Sequence, residues 1–320
     1  MIKTLKSNKF IVLSLFIACI LFILNPSRYA NCCLNGLSIW STKVFPTLFP
    51  FFILSRLIIK LSNYSSNPLD KLFNKIYNTP NGSLSIFTLS SLSGYPMGAK
   101  MIGTIFEDHS ISKTDAKKLL ALCNLSGPMF MIGTVGIACL GSYSAGIIIC
   151  VSNILASLIN GLIYKGGKTI SNIRIQNKQD SNILTDTIHD SLQSILMVGG
   201  FIIFSFLLIE VLKSTNILTM LSNAICSVFN CGQYKDIVES ILCGLIEITT
   251  GCINTGSINI SLRVKTIITS SIIAFGGLSI LFQSKTFIDK IGIPTRYILL
   301  QKTTQTIITF LVSLLLSLHL

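Results

Sequence analysis

The sequence predicts an all-α integral membrane protein built as an inverted repeat, with two re-entrant hairpins and two interrupted helices. Three observations carry that reading. Of its 320 residues, 50% are apolar and 12% are charged, and the mean hydropathy of +0.70 exceeds what a water-soluble globule needs, so lipid is the expected solvent. Several apolar windows reach the roughly 20 residues that cross about 30 Å of hydrocarbon at about 1.5 Å per residue. Segments broken by Gly, Pro and polar residues interrupt the apolar stretches in the same order in both halves.

The clearest spans are residues 10–24, 34–59, 128–164 (long enough for two), 191–212, 266–283 and 297–318. The first follows Lys3, Lys6 and Lys9 and has the look of a secretory signal. Arg28 and Tyr29 before Ala30 do not supply the small side chains of a cleavage site, and Cys32 lacks the small-residue run of a lipoprotein site. A retained membrane anchor with its loop is therefore expected over 1–33. A net charge of +13 on a soluble domain would suggest nucleic acid. Here the Lys and Arg residues lie in loops between apolar spans, so topology accounts for them and no nucleic-acid partner is expected. The ten cysteines are scattered through apolar stretches with no paired spacing beyond Cys32-Cys33. They read as packing residues, and no metal or cofactor is expected.

Placing the N-terminal lysines in the cytoplasm sets the direction of each later span. Residues 83–106 are flanked by Lys60, Lys71 and Lys75 before and by Lys113, Lys117 and Lys118 after. If both flanks are cytoplasmic, the segment dips in and returns. Its centre, Ser93-Gly94-Tyr95-Pro96, holds the helix breakers that a re-entrant tip requires. Residues 128–164 then go out and back, and the basic linker with Lys165, Lys168, Arg174 and Lys178 is cytoplasmic. In the second half 191–212 runs outward, 237–259 forms a second broken hairpin from outside, 266–283 returns and 297–318 leaves. Arg263 and Lys265 are the weak point of this charge test.

The halves are thus antiparallel. Aligning Val44 with Val198 also aligns Phe52 with Phe206, Leu54 with Leu208 and Arg56 with Glu210. Each half repeats one order: long span, amphipathic stretch (67–77; 215–229), broken hairpin, interrupted helix (124–128; 275–279) and final span. That is the inverted repeat of many secondary transporters. The expected division is anchor and loop 1–33, first repeat 34–164, cytoplasmic linker 165–190 and second repeat 191–320.

Inside a membrane, irregular backbone persists only where protein or a water-filled cavity satisfies its N–H and C=O groups, so the breaks are the candidate binding sites. Pro96 suits the first turn of a half-helix, and Asn124-Leu125-Ser126-Gly127-Pro128 repeats that grammar with Ser126 or Gly127 as cap. Converging half-helix N-termini, with Lys100 about one turn further on, suit an anion. The plainer account is a set of packing kinks with Lys100 snorkelling to the interface. In the second half Glu247, Thr249 and Thr250 put a carboxylate and two hydroxyls at the equivalent break. Glu247 is expected either to bind a coupling proton or cation or to pair with Lys100. Gly276, Gly277, Ser279 and Gln283 complete the second interrupted helix with close backbone approach and polar ligands, although close helix packing accounts for the glycines equally. Arg56 and Glu210 are expected to snorkel at the ends of their spans. Neither a nucleophile elbow nor a P-loop occurs, and His109, His189 and His319 lie in loops or at the terminus, so catalysis is not expected.

Five stretches carry a family resemblance: Val44-Phe45-Pro46-Thr47-Leu48-Phe49-Pro50-Phe51-Phe52, Ser93-Gly94-Tyr95-Pro96-Met97-Gly98-Ala99-Lys100, Asn124-Leu125-Ser126-Gly127-Pro128-Met129-Phe130, Glu247-Ile248-Thr249-Thr250-Gly251 and Phe275-Gly276-Gly277-Leu278-Ser279. Through them nearly the whole chain resembles the sporulation integral membrane proteins of the YlbJ type, within the wider set with nucleoside-recognition or gate domains. The resemblance implies a fold like that of concentrative nucleoside transporters and a place in the mother-cell-derived outer forespore membrane of an endospore-forming bacterium. It also implies dipicolinic acid as cargo, a flat ring with two carboxylates that helix N-termini and Lys100 would hold while Tyr95 packs the ring. Two positions depart from the family: Arg56 stands where an acid is common, and Leu281-Phe282 where a His-Ala pair is common. The expected function is transport of a small anion in contact with membrane lipid, with a nucleoside-type carrier or a non-transporting membrane scaffold as alternatives. Monomer and homo-oligomer are both left open.

Overall fold

The computed structural model describes residues 2–61, 68–166 and 182–320. Among these residues the chain folds into fifteen α-helices with π-helical stretches at Trp40–Val44 and Phe130–Cys139, and without β-strands. Lys168, Arg174 and Lys178 of the predicted linker lie outside the described residues.

Helix α1 (Ile2–Leu24) ends at Asn25, and α2 (Pro26–Ile39) begins at once. Residues 26–33 are therefore helix rather than the expected loop. The reason is local: Pro26 occupies the first helical turn, where its missing N–H costs nothing, so it starts a helix instead of breaking one. The π-helical turn Trp40–Val44 joins α2 to α3 (Phe45–Leu61), with the Phe45 N–H donating to the Trp40 carbonyl. This local widening accompanies Pro46, whose ring and missing N–H disturb the regular ladder.

The rest of the first half is the amphipathic α4 (Pro68–Tyr77), the pair α5 (Ser83–Ser93) and α6 (Met97–Glu107), then α7 (Lys113–Cys123), which breaks at residues 124–127 before the stretch to Cys139 and α8 (Tyr143–Ile163). The second half keeps that order. It contains α9 (Ile183–Ser214), α10 (Ile217–Val228), α11 (Lys235–Ile246) and α12 (Ile248–Ser257) divided at Glu247, α13 (Leu262–Phe275) and α14 (Gly277–Ile291) divided at Gly276, and α15 (Thr295–Leu316). α9 begins inside the predicted linker, with Asp186 in its first turn, where a carboxylate complements the helix dipole.

Among the described residues, five helical stretches are long and apolar enough to cross a membrane: Pro26–Ile58, Tyr143–Ile163, Ile183–Ser214, Leu262–Ile291 and Thr295–His319. α8, α13 and α15 pack mutually, and α9 lies along α2 and α3. The latter contact is close because glycines face it. A Cβ on Gly36 would stand 3.2 Å from the Ile203 Cα, and one on Gly199 only 2.6 Å from the Trp40 ring. Trp40 Nε1 donates to the Ile195 carbonyl at 3.1 Å, satisfying the one polar atom of this half-buried ring. A central apolar cluster joins the halves through Leu48, Phe52, Tyr95 and Phe130 on one side and Ile195, Ile202, Ile248 and Ile280 on the other. Cys150 and Cys252 pack within it.

Candidate functional site

All four breaks meet at this core. Gly94 has φ 68 and ψ −167, a conformation that only glycine adopts readily. A Cβ there would fall 2.3 Å from the Gly127 nitrogen, so the break after α5 and the break after α7 touch backbone to backbone. The second half does the same. Gly277 has φ +65, and its Cβ position lies 2.8 Å from the Gly244 carbonyl oxygen and 3.3 Å from that of Ile246, at the end of α11. The two pairs then meet through Tyr95, whose Cζ lies 3.6 Å from the Cβ position of Gly276.

Between them is a cavity of about 50 Å³. Ser93, Gly94 and Tyr95 line it from the first break, Ser126 and Gly127 from the second, Glu247 and Thr249 from the third, and Ser279 and Gln283 from α14. Phe51, Phe52, Phe130 and Phe201 supply aromatic wall. Ser93 and Ser279 are each 5% exposed, and neither hydroxyl has a hydrogen-bond partner among the described residues. Buried hydroxyls are normally paired, so these two stand out among the residues that line the cavity.

Glu247 is the N-cap of α12. Its carboxylate accepts from the N–H of Thr249 at 2.9 Å, the N–H of Thr250 at 2.7 Å and the Thr250 hydroxyl at 3.0 Å. Three donors and a helix N-terminus satisfy the charge without a lysine. Thr250 is thereby taken up in holding Glu247, while Pro96 caps the start of α6.

Lys100 lies elsewhere: it is exposed, off the cavity wall and away from Glu247. α6 turns Gly98, Ala99, Ile102 and Gly103 inward, and Gly98 packs so tightly that a Cβ would sit 2.1 Å from the Cys123 carbonyl oxygen. At about 100° per residue, Lys100 then faces away.

The cation at the breaks is Lys302, 4% exposed on α15. Its ammonium donates to the Asn124 carbonyl at 2.5 Å, the Ala274 carbonyl at 3.2 Å and Gln305 Oε1 at 3.2 Å, and to the Tyr95 hydroxyl. Asn124 and Gly277 line a second cavity, of about 10 Å³, beside it. Sequence reasoning passed over Lys302 because it lies in an apolar span. The usable signal was its setting: Gln301, Lys302, Gln305, Thr309 and Ser313 recur at helical spacing and are all buried, forming a polar stripe down α15. Arg56 is likewise buried at 7% exposure rather than snorkelling, and donates to Ser194 Oγ at 2.6 Å. Glu210 pairs with Arg28 at 2.5 Å.

Membrane-length apolar helices around a small cavity, lined where helix breaks converge, define a polytopic helical membrane protein. No family model and no solved structure matches the chain. The chain is similar to the sporulation integral membrane protein YlbJ of Bacillus subtilis (strain 168), with 29% identity across an alignment that covers 86% of this chain and 74% of that protein. The YlbJ-type resemblance read from the five motifs is thus supported along most of the chain's length.

Proposed function

We propose that this chain is a carrier of endospore formation that moves a small, flat, aromatic anion of the dipicolinate kind across the outer forespore membrane, with its N-terminus in the cytoplasm. The observation that carries the reading is the cavity where four breaks converge, walled by aromatic rings and bearing the orphan hydroxyls of Ser93 and Ser279. Aromatic walls take a ring, and hydroxyls and half-helix N-termini take carboxylate oxygens. Glu247 lines the same cavity, so a coupling proton there would relieve its repulsion of an anionic cargo.

The sporulation role is carried over from the similar Bacillus subtilis protein, a sporulation integral membrane protein. The inverted repeat and the re-entrant hairpins draw support from length. α5 and α6 have 11 residues each, and α11 and α12 have 12 and 10. At about 1.5 Å per residue, each covers only about half of a 30 Å hydrocarbon layer. Two half-length helices per unit, broken at the cavity, suit the architecture of concentrative nucleoside transporters. At about 50 Å³ the cavity holds water but no ring. Transport therefore requires the hairpins and broken helices to move against the long spans, as in alternating access.

A second reading, a carrier of neutral nucleosides, is favoured by one observation: no Lys, Arg or His is among the described residues on the cavity wall. Uptake of labelled dipicolinate into vesicles holding the purified protein, with uridine as competitor, separates the readings. Uptake indifferent to uridine supports the anion carrier. Uptake of uridine in place of dipicolinate selects the nucleoside reading, and failure to move either solute under any ion gradient leaves a membrane scaffold.

A further inference from the structure

Lys302 stands where both interrupted helices stop. Of the carbonyls it binds, that of Asn124 is at the C-cap of α7 and that of Ala274 is in the last turn of α13. Helix C-termini present unpaired carbonyls and the negative end of the helix dipole, so two aimed at one point make a cation site inside a membrane. The ligands are neutral: among the described residues no carboxylate pairs with Lys302. Four oxygens surround an ammonium that has three protons, one more than hydrogen bonding to this lysine requires. A tether between helices needs only a neutral amide or hydroxyl, which escapes the desolvation cost of a buried charge. Two more buried oxygens without partners, Asn124 Oδ1 and Ser284 Oγ, belong to residues lining the small cavity that Lys302 shares. Neutral oxygens converging on one positive centre are the coordination of a free monovalent cation. Here the positive centre arrives on an apolar stem.

We propose that Lys302 is a covalently tethered replacement for a bound monovalent cation, filling an oxygen-lined site between the breaks of the two units so that the protein works without Na⁺ or K⁺. The consequence for transport rests on the carrier reading; the site itself does not.

Lys302→Ala empties the site and leaves its oxygens in place. The experiment is the melting temperature of the purified protein in choline, sodium and potassium chloride at equal ionic strength. Wild type is expected to melt at one temperature in all three. Lys302→Ala is expected to melt lower in choline and to regain about 5 °C or more, saturably, in Na⁺ or K⁺. Lys302→Met, which fills the space with an uncharged stem, is expected to melt lower with no cation restoring it. A Lys302→Ala protein indifferent to every cation, or a wild type that gains from Na⁺ or K⁺, overturns the proposal. A second arm uses wild type alone: dipicolinate uptake is expected to be equal in the three salts, and uptake that requires Na⁺ or K⁺ overturns the tethered cation while leaving the carrier standing. Failure to move any cargo sinks the carrier reading and leaves the melting arm to decide the site.

Discussion

At the scale of single residues, the polar side chains of the core divide by whether the fold already uses them. Glu247 is consumed by α12, and Arg56 by Ser194 of α9. Ser93 and Ser279 are consumed by nothing among the described residues. An unsatisfied buried hydroxyl costs folding about 1–3 kcal/mol. Ser93→Ala and Ser279→Ala are therefore expected to leave the melting temperature unchanged or raised. If these hydroxyls bind cargo, each substitution also raises the apparent KM about fivefold, the loss of roughly 1 kcal/mol per hydrogen bond. A fall in stability with KM unchanged would make them packing residues. Lys302 shows the opposite case, a side chain so fully engaged that its role is invisible from its position in the sequence.

At the scale of elements, close approach of backbone decides which helix ends meet. Gly94 and Gly127 hold α5 and α7 together, and Gly277 and Gly244 do the same for α14 and α11. Gly94→Ala puts a Cβ 2.3 Å from a backbone nitrogen at φ +68, so both sterics and conformation oppose it. The expected result is loss of folded protein in size-exclusion chromatography after detergent extraction. Gly200→Ala, with nothing within 4 Å of the new Cβ, is expected to elute like wild type. The breaks themselves were legible in the sequence, because Gly and Pro act on their own neighbours through φ and a missing N–H. So were the amphipathic helices α4 and α10. The starts of α2 and α9 were not. Pro26 reads as part of a loop although proline also opens helices, and 183–190 carries enough charge to read as linker.

At the scale of the whole molecule, two units with the same order of elements share the lining of the central cavity, and the arrangement of the paired half-helices relative to the membrane becomes the testable quantity. In a background without the native thiols, Gly232→Cys before α11 and Asn259→Cys after α12 place exposed labels on either flank of the second broken pair. A re-entrant pair is expected to give labelling by an impermeant maleimide from the same side for both. Labelling from opposite sides would make α11 and α12 one crossing and would unseat the inverted repeat. Arg263 and Lys265, the weak point of the charge reading, lie just beyond. Lys265 donates to the Gly256 carbonyl at 2.6 Å, so its charge serves the C-terminal end of α12 and is a poor guide to sidedness.

The sequence by itself determined what acts locally: apolar lengths, the helix breakers at 94–96, 124–128 and 276–277, and the repeated order of elements. It also named Ser93, Tyr95, Ser126, Glu247, Ser279 and Gln283, which line one cavity because each lies within about two helical turns of a break. Only the tertiary structure decided which charge reaches those breaks. Lys100 is close to one in sequence yet faces away, because the tight seat of Gly98 against α7 sets the rotation of α6. Lys302 is far from all of them in sequence yet touches two, because α15 packs against α13 and turns its polar stripe inward. Which face of a helix is buried depends on its neighbours, and that is a property of the assembled fold.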